Sequence, residues 1–175
     1  MKVIIENIIA SCKVEGDLDM ENIGANLPGA RYQPEIFNGI TIVREDPDYK
    51  SFILEDGTIK FHGLTSEEAV NEALKNLLSD PTLGELRLKD RISLQEIVAS
   101  VDLGEQVDAK KIYEEFKDEG VVYDPSELPG FILQVGNSGI EVLIFPEGKI
   151  ISRGASDLMD AISSLQMVHG RITGR

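Results

Sequence analysis

The chain contains the segment Asn7-Ile8-Ile9-Ala10-Ser11 and, 89 residues later, the related segment Glu96-Ile97-Val98-Ala99-Ser100. A second related pair, Tyr32-Gln33-Pro34 and Tyr123-Asp124-Pro125, follows at an offset of 91 residues. The repeat is about half of the 175-residue chain, which is longer than the unit of a solenoid. These matches therefore predict two fused copies of one small domain.

The two copies are predicted to cover residues 1–84 and 85–175, and each has the same order of elements. An apolar strand (Val3 to Cys12, Ile92 to Leu103) is followed by a short amphipathic helix, four strands separated by turn signals, and a longer helix. The predicted helix N-caps are polar residues that precede apolar periodic runs: Asp19, Thr65, Asp108 and Ser156. This order predicts an α+β fold.

One face of the predicted sheet is left without helices, because the helices of such a unit cover only one side. Alternation along the strands assigns many apolar residues to this open face: Phe37, Thr41, Val43, Phe52, Leu54, Leu128, Ile132, Leu143 and Phe145. A large exposed apolar face is typical of an interaction surface. From the alternation alone, a ligand, a second copy of the chain or another layer of protein can cover it.

Composition limits the class of protein. The net charge is −14, which argues against a generally basic nucleic-acid module but does not describe any single face. Cys12 is the only cysteine, so an internal disulfide is excluded, and no segment is long enough for a membrane span. These features predict a cytoplasmic protein that does not associate with membranes.

Residue types that carry catalysis are sparse. His62 and His169 are the only histidines, and no carboxylate or cysteine stands near either at the spacing of a metal site or a catalytic triad. Gly136-Asn137-Ser138-Gly139 is typical of a hairpin turn rather than of a phosphate-binding loop. Cys12 is predicted to be a buried structural thiol. The sequence predicts a protein that is not an enzyme and has no metal or cofactor.

Three further segments have a specific resemblance: Tyr32 to Gly39 (YQPEIFNG), Tyr123 to Gly130 (YDPSELPG) and Leu143 to Lys149 (LIFPEGK). In this order, and with the repeat, the chain resembles the TATA-box-binding proteins of the short archaeal type over about residues 3–168. The resemblance implies a pseudo-twofold saddle. Its curved ten-stranded antiparallel sheet carries four helices on the convex face.

The resemblance also implies a function, since members of this family bind the TATA element in the DNA minor groove and insert apolar side chains between base steps. The four wedge positions correspond to Phe37 with Leu54 and to Leu128 with Phe145, each pair 17 residues apart. The complete set of implied DNA-binding residues is Asn7, Ile9, Phe37, Phe52, Leu54, Lys60, His62, Glu96, Val98, Leu128, Leu143, Phe145, Lys149, Ile151 and Arg153.

Some positions depart from the family pattern. Glu96 stands where the family has a second central asparagine, and a carboxylate cannot donate to the acceptors of A·T pairs. Phosphate-binding arginines of the family fall on Ile36, Val43 and Gln134, so a shallow salt dependence of DNA binding is predicted. Protonation or a nearby cation, Arg153 or Lys60, is expected to neutralise Glu96.

The implied partners are double-stranded DNA, transcription factor B and the RNA polymerase machinery. Transcription factor B is expected near Glu127, Pro129 and Gly130. For the free protein, a monomer and a homodimer both stay open. The expected location is the cytoplasm of an archaeal cell, in association with the nucleoid. The alternative is a diverged paralogue that acts mainly as a protein-interaction or dimerisation module and binds DNA weakly.

Overall fold

The repeated order of elements is present in the structure, a computed structural model that describes residues 1–174. Each repeat has a long first strand, a helix, four shorter strands and a second helix. In the first repeat these are β1 Val3–Glu15, α1 Met20–Asn26, β2 Ala30–Tyr32, β3 Gly39–Glu45, β4 Asp48–Leu54, β5 Thr58–Leu64 and α2 Glu67–Leu78. In the second they are β6 Arg87–Asp102, α3 Ala109–Phe116, β7 Val122–Tyr123, β8 Phe131–Gln134, β9 Glu141–Ile144, β10 Lys149–Ala155 and α4 Leu158–Thr173.

The ten strands form one antiparallel sheet in the order β2-β3-β4-β5-β1-β6-β10-β9-β8-β7. Within each repeat the four shorter strands pair in sequence through short connections, and the first strand pairs with the last, β1 with β5 and β6 with β10. The predicted α+β class with ten antiparallel strands and four helices is therefore confirmed. None of the helices in the described part of the chain is long and apolar enough to cross a membrane.

Two compact units divide the chain. Residues 7–95 form the N-terminal unit; the C-terminal unit consists of residues 1–6 and the chain from Glu96 onward. The beginnings of β1 and β6 thus each belong to the unit of the other repeat. The units do not end where the repeats are predicted to end, and the repeat boundary between residues 84 and 85 stays a prediction.

Each helix begins where a side chain can accept the unpaired backbone N–H groups of its first turn. Asp19 and Asp108 cap α1 and α3, as predicted. The other two predicted caps are wrong by one residue. Ser66 Oγ accepts from Ala69 N at 3.1 Å, and Asp157 Oδ1 accepts from Met159 N at 2.7 Å. Both helices therefore begin one residue later than Thr65 and Ser156 imply.

Apolar spacing in the sequence predicts that α4 buries Leu158, Ala161, Ile162 and Leu165, and only Ala161 and Leu165 of these are buried. Leu158 is its first residue and is 38% exposed. The buried positions follow helical spacing and are Ala161, Ser164, Leu165, Val168 and Ile172. The hydroxyls of Ser164 and Ser152 in β10 lie 2.7 Å apart, so this polar pair is satisfied within the core.

Cys12 lies on the face of β1 that is covered by the helices, and its side chain is 5% exposed. Burial raises the pKa of the Cys12 thiol to about 11. Because the thiolate is the reactive form, the raised pKa disfavours reaction at neutral pH. The predicted burial of Cys12 is confirmed.

Candidate nucleic-acid interface

The open face of the N-terminal unit is defined by strand register. Residues opposite each other in an antiparallel pair share a face, and such pairs join Thr41 to Phe52, Phe52 to Lys60, and Lys60 to Ser11. The residues that alternate with these along the strands also pair with one another, and they form the face that the helices cover. Each is at most 5% exposed: Ile40, Ile53, Ile59 and Cys12. The predicted assignment of residues to the two faces therefore agrees with the register in this unit.

The C-terminal unit has the same arrangement. Its open-face row runs through pairs that join Ile132, Leu143, Ile151 and Ser100. The covered row contains Phe131, Ile144, Ile150 and Val101, each at most 2% exposed. Leu143 was expected to be exposed, but only 7% of it is, because Ile132 and Ile151 flank it on the neighbouring strands.

The first wedge position of each unit lies in the same kind of turn. Phe37 precedes β3 instead of lying within a strand as predicted, and its N–H donates to Gln33 O at 2.9 Å. Leu128 N donates to Asp124 O at the same distance. Phe37 is 40% exposed, and its ring meets that of Phe52 edge-on, with the centroids 5.9 Å apart.

The second wedge position is fixed by the turn that follows it. Leu54 O accepts from Gly57 N at 3.0 Å, and Phe145 O accepts from Gly148 N at 2.9 Å. A glycine beside each wedge pair leaves room for the ring of the phenylalanine. A Cβ on Gly39 would lie 2.6 Å from Phe37 Cε1, and one on Gly130 would lie 2.9 Å from Phe145 Cδ1. None of the four wedge residues is buried beneath the helices.

Asn7 and Glu96 occupy equivalent sites. Asn7 Oδ1 accepts from Gly63 N at 2.6 Å, and Glu96 Oε1 accepts from Gly154 N at 3.3 Å. Both glycines have positive φ, 102° and 85°, where the ladder is irregular and the N–H would otherwise lack a partner. The glutamate thus keeps the structural hydrogen bond of the asparagine while changing the chemistry of the remaining side-chain atoms.

Basic side chains are more numerous on the open face of the N-terminal unit than the sequence interpretation allowed. Arg31 pairs with Thr41, and Lys50 pairs with Val43 and His62, so both join Lys60 on this face. In the described chain no carboxylate lies within ion-pair distance of these three cations. Lys50 is two residues before Phe52 on the same strand, so two-residue alternation would have assigned it to the open face. The face of this unit therefore carries more cations than the sequence interpretation named, and the shallow salt dependence stays a prediction.

The open face of the C-terminal unit is electrostatically compensated. Lys149 Nζ lies 3.1 Å from Glu6 Oε1, and Arg153 Nε donates to Glu141 Oε2 at 2.6 Å. The hydroxyl of Ser100, which also donates to Glu6, and the Lys149 ammonium lower the pKa of the Glu6 carboxyl. Arg153 was expected to neutralise Glu96, but the structure pairs it with Glu141 instead, because Glu141 is opposite Arg153 on β9.

The structure therefore assigns the predicted residues to two faces. The N-terminal unit carries Asn7, Ile9, Phe37, Phe52, Leu54, Lys60 and His62; the C-terminal unit carries Glu96, Val98, Leu128, Leu143, Phe145, Lys149, Ile151 and Arg153. The expected partner residues Glu127 and Pro129 are exposed, whereas Gly130 is buried. Among the described residues, no group of three or more His, Cys, Asp or Glu side chains is arranged to hold a metal ion.

Comparison with known proteins gives a consistent result. The family model described as "Transcription factor TFIID (or TATA-binding protein, TBP)" matches residues 2–80 and 91–172. TATA-box-binding protein D of Halobacterium salinarum is 30% identical over 171 residues, which is 97% of this chain and 92% of that protein. The TATA-box-binding protein of Pyrobaculum calidifontis is also 30% identical, over 96% of this chain and 84% of the relative.

Among solved structures, that of Methanococcus jannaschii TBP superposes with a TM-score of 0.85 at 26% identity, and the match covers 100% of both chains. The fold, the paired wedge turns and the sequence matches agree over nearly the whole chain. This chain belongs to the TATA-binding protein family, which is a family of transcription factors and not of enzymes.

Proposed function

We propose that the protein binds a TATA element in the DNA minor groove through the open faces of its two units, bends the DNA, and thereby recruits transcription factor B and RNA polymerase. The observation that carries the proposal is the wedge pair that each unit exposes in matching turns, Phe37 with Leu54 and Leu128 with Phe145. The named relatives are TATA-box-binding proteins, and their names support the same ligand.

Apolar side chains inserted between base steps unstack those steps and kink the duplex, and the cost is offset by the larger protein surface that the bent DNA contacts. Phenylalanine and leucine are both used as such wedges. Several other open-face residues are aliphatic and can contact the floor of the groove. Ile9, Val98 and Ile151 are three of them.

Affinity for the phosphate backbone requires cations that are free to bind it. Lys50 and Lys60 are exposed on the N-terminal unit and have no ion-pair partner among the described residues. Each phosphate that a lysine or arginine neutralises contributes about −0.9 to the slope of log K against log salt. The N-terminal unit is therefore proposed to supply most of the phosphate contacts, despite the net charge of −14.

Recruitment of transcription factor B is proposed to involve the turn that holds Leu128. Glu127 and Pro129 are exposed there, and Gly130 lies so close to the ring of Phe145 that a side chain on it would meet that ring. A partner that contacts this turn would sense whether Phe145 and Leu128 are inserted in DNA. Binding of the two ligands is then expected to be cooperative.

Fluorescence anisotropy with a labelled TATA duplex tests the proposal, with a G·C-rich duplex of equal length as the control. Specific binding is expected to be tighter by about 10³-fold, the lower range for sequence-specific proteins. Energy transfer between dyes at the duplex ends should report bending. Titration with transcription factor B should increase the affinity for the TATA duplex. Equal affinities for the two duplexes would contradict the proposal.

A second candidate is a protein-interaction or dimerisation module, and the compensated face of the C-terminal unit favours it. Glu6 and Glu141 already engage the two cations there, so fewer charges are free for phosphate. Sedimentation equilibrium of the free protein tests this function. A dimer that Phe37→Glu dissociates, and that TATA duplex does not, would support the module over the DNA-binding factor.

A further inference from the structure

Asn7 and Glu96 differ in the groups that remain after their shared hydrogen bond is made. In each, one side-chain oxygen accepts the N–H of a positive-φ glycine, Gly63 or Gly154. The amide nitrogen of Asn7 then has two N–H donors left. Glu96 has only its second carboxylate oxygen, which accepts hydrogen bonds and cannot donate one when ionised.

No neighbouring cation changes this chemistry within the described residues. Arg153 is engaged by Glu141 and Lys149 by Glu6, and no cation lies within ion-pair distance of Glu96. Alternation along β6 assigns Glu96 to the same side as Val98, the open face, and the side chain is half-buried there. The C-terminal unit therefore presents an acceptor at the site where the N-terminal unit presents donors.

The minor groove distinguishes these two possibilities. A·T pairs in either orientation offer only the acceptors adenine N3 and thymine O2, which suit the donors of Asn7. A G·C pair adds one donor, the N2 amino group of guanine, at the groove floor. We propose that Glu96 is a specificity-determining residue that accepts from guanine N2. The half-site bound by the C-terminal unit then prefers a G·C pair at one position.

This inference rests on the proposed DNA-binding function, and it concerns base preference rather than total affinity. Repulsion between the carboxylate and nearby phosphates is the same for every base pair at that position, so it cancels when base pairs are compared. The gain from an added hydrogen bond to a charged group is about tenfold in affinity.

Inosine provides the matched probe, because an I·C pair lacks only the N2 amino group of a G·C pair. The anisotropy titration is repeated with TATA duplexes in which each position in turn carries G·C or I·C. The wild-type protein should bind the G·C duplex about tenfold more tightly than the I·C duplex at one position in one half. At the other positions the I·C duplex should be preferred or equal.

Two variants separate the base contact from sequence-dependent stiffness of the DNA, which inosine also alters. Glu96→Asn and Glu96→Gln keep an oxygen for Gly154 N and gain amide donors. Both should lose the G·C preference or reverse it on the same duplexes. Circular dichroism and the melting temperature will show that both variants are folded.

The outcomes are distinct for the two proposals. Tight binding of the parent TATA duplex with equal G·C and I·C affinities at every position overturns the role of Glu96 and leaves the proposed function intact. A G·C preference that persists in Glu96→Gln also overturns it. If no duplex binds more tightly than the G·C-rich control, both proposals are overturned.

Discussion

The open faces of the two units share a backbone plan and differ in how their charges are used. In both, the first wedge residue lies in the same kind of turn, and a side-chain oxygen accepts from the N–H of a positive-φ glycine. On the N-terminal unit, Lys50 and Lys60 have no ion-pair partner in the described chain, whereas on the C-terminal unit Lys149 and Arg153 are paired with carboxylates. Backbone requirements therefore preserved the geometry of the repeat while the side chains available to a ligand diverged.

This difference implies that the two units contribute differently to the proposed binding of DNA. Free cations on the N-terminal unit can replace the counterions condensed on DNA, and that release is the main source of salt-dependent affinity. On the C-terminal unit, each cation must first leave its carboxylate, which reduces the net gain from a phosphate contact. Under the proposed function, the C-terminal unit would then contribute wedge insertion and base preference.

The largest effect is expected when two cations of the N-terminal unit are removed by substitution. Lys50→Ala with Lys60→Ala should weaken TATA binding by about 50-fold in 0.1 M salt, and the slope of log K against log salt should become less negative by about 1.8. The measurement is anisotropy across a salt series. The helical pair Lys75→Ala with Lys110→Ala carries the same charge change on exposed residues outside the open faces. An equal loss in that control would mean that net charge, and not this face, sets the affinity.

The next effect concerns the central residue of the C-terminal unit. Glu96→Asn should tighten binding of the parent TATA duplex by about tenfold, because an amide donor replaces a carboxylate at the floor of an A·T-rich groove. Glu68→Asn on α2, which is exposed, is the charge-matched control and should have little effect. An unchanged affinity in Glu96→Asn would show that DNA does not approach this residue.

A double-mutant cycle between Glu96 and Arg153 gives a sharper test of the same site. Since Arg153 is held by Glu141, the effects of Glu96→Asn and Arg153→Ala on DNA affinity are expected to add within about 0.5 kcal/mol. A larger coupling energy would mean that Arg153 moves from Glu141 to Glu96 when DNA is bound.

Much of this arrangement could be predicted from the sequence. The repeat fixed the element order, and two-residue alternation assigned residues such as Phe52 and Ile53 to opposite faces, because both patterns are local. The helix N-caps near Thr65 and Ser156 were missed by one residue, since adjacent Thr65-Ser66 and Ser156-Asp157 can each cap and only backbone geometry chooses between them.

The ion pairs could not be predicted in the same way. Glu6 meets Lys149 from 143 positions away along the chain, which requires the sheet order β1-β6-β10 to be known. Arg31 was missed for a related reason, because β2 has only three residues and too little alternation to assign a face. Charge on a face depends on register between distant strands, and a single sequence does not contain that register.

A smaller effect follows from releasing Lys149. Glu6→Gln should tighten TATA binding by about fivefold in 0.1 M salt and make the salt slope more negative by at most about 0.9, since one more cation becomes free for phosphate. In a Lys149→Ala background the same substitution should gain much less. A gain of equal size in that background would assign the effect to the lost carboxylate and not to the released lysine.

The smallest expected effect is on stability, and it has a definite pH dependence. The pKa of Glu6 is lowered in the folded protein by the Ser100 hydroxyl and the Lys149 ammonium. A lowered pKa means that the ionised carboxylate favours folding above the ordinary glutamate pKa. That contribution is lost as the pH falls through the ordinary value and then through the lowered one.

Both partners are partly exposed, so solvent screens the pair and the contribution is modest. At pH 7 the wild-type protein should melt about 1–2 °C above Glu6→Gln, and calorimetry should show this difference shrinking towards zero below the ordinary glutamate range. A difference that grows on acidification would mean that Glu6 is destabilising when ionised. The C-terminal unit would then carry its carboxylate at a cost to folding, and the compensated face could not be explained by stability.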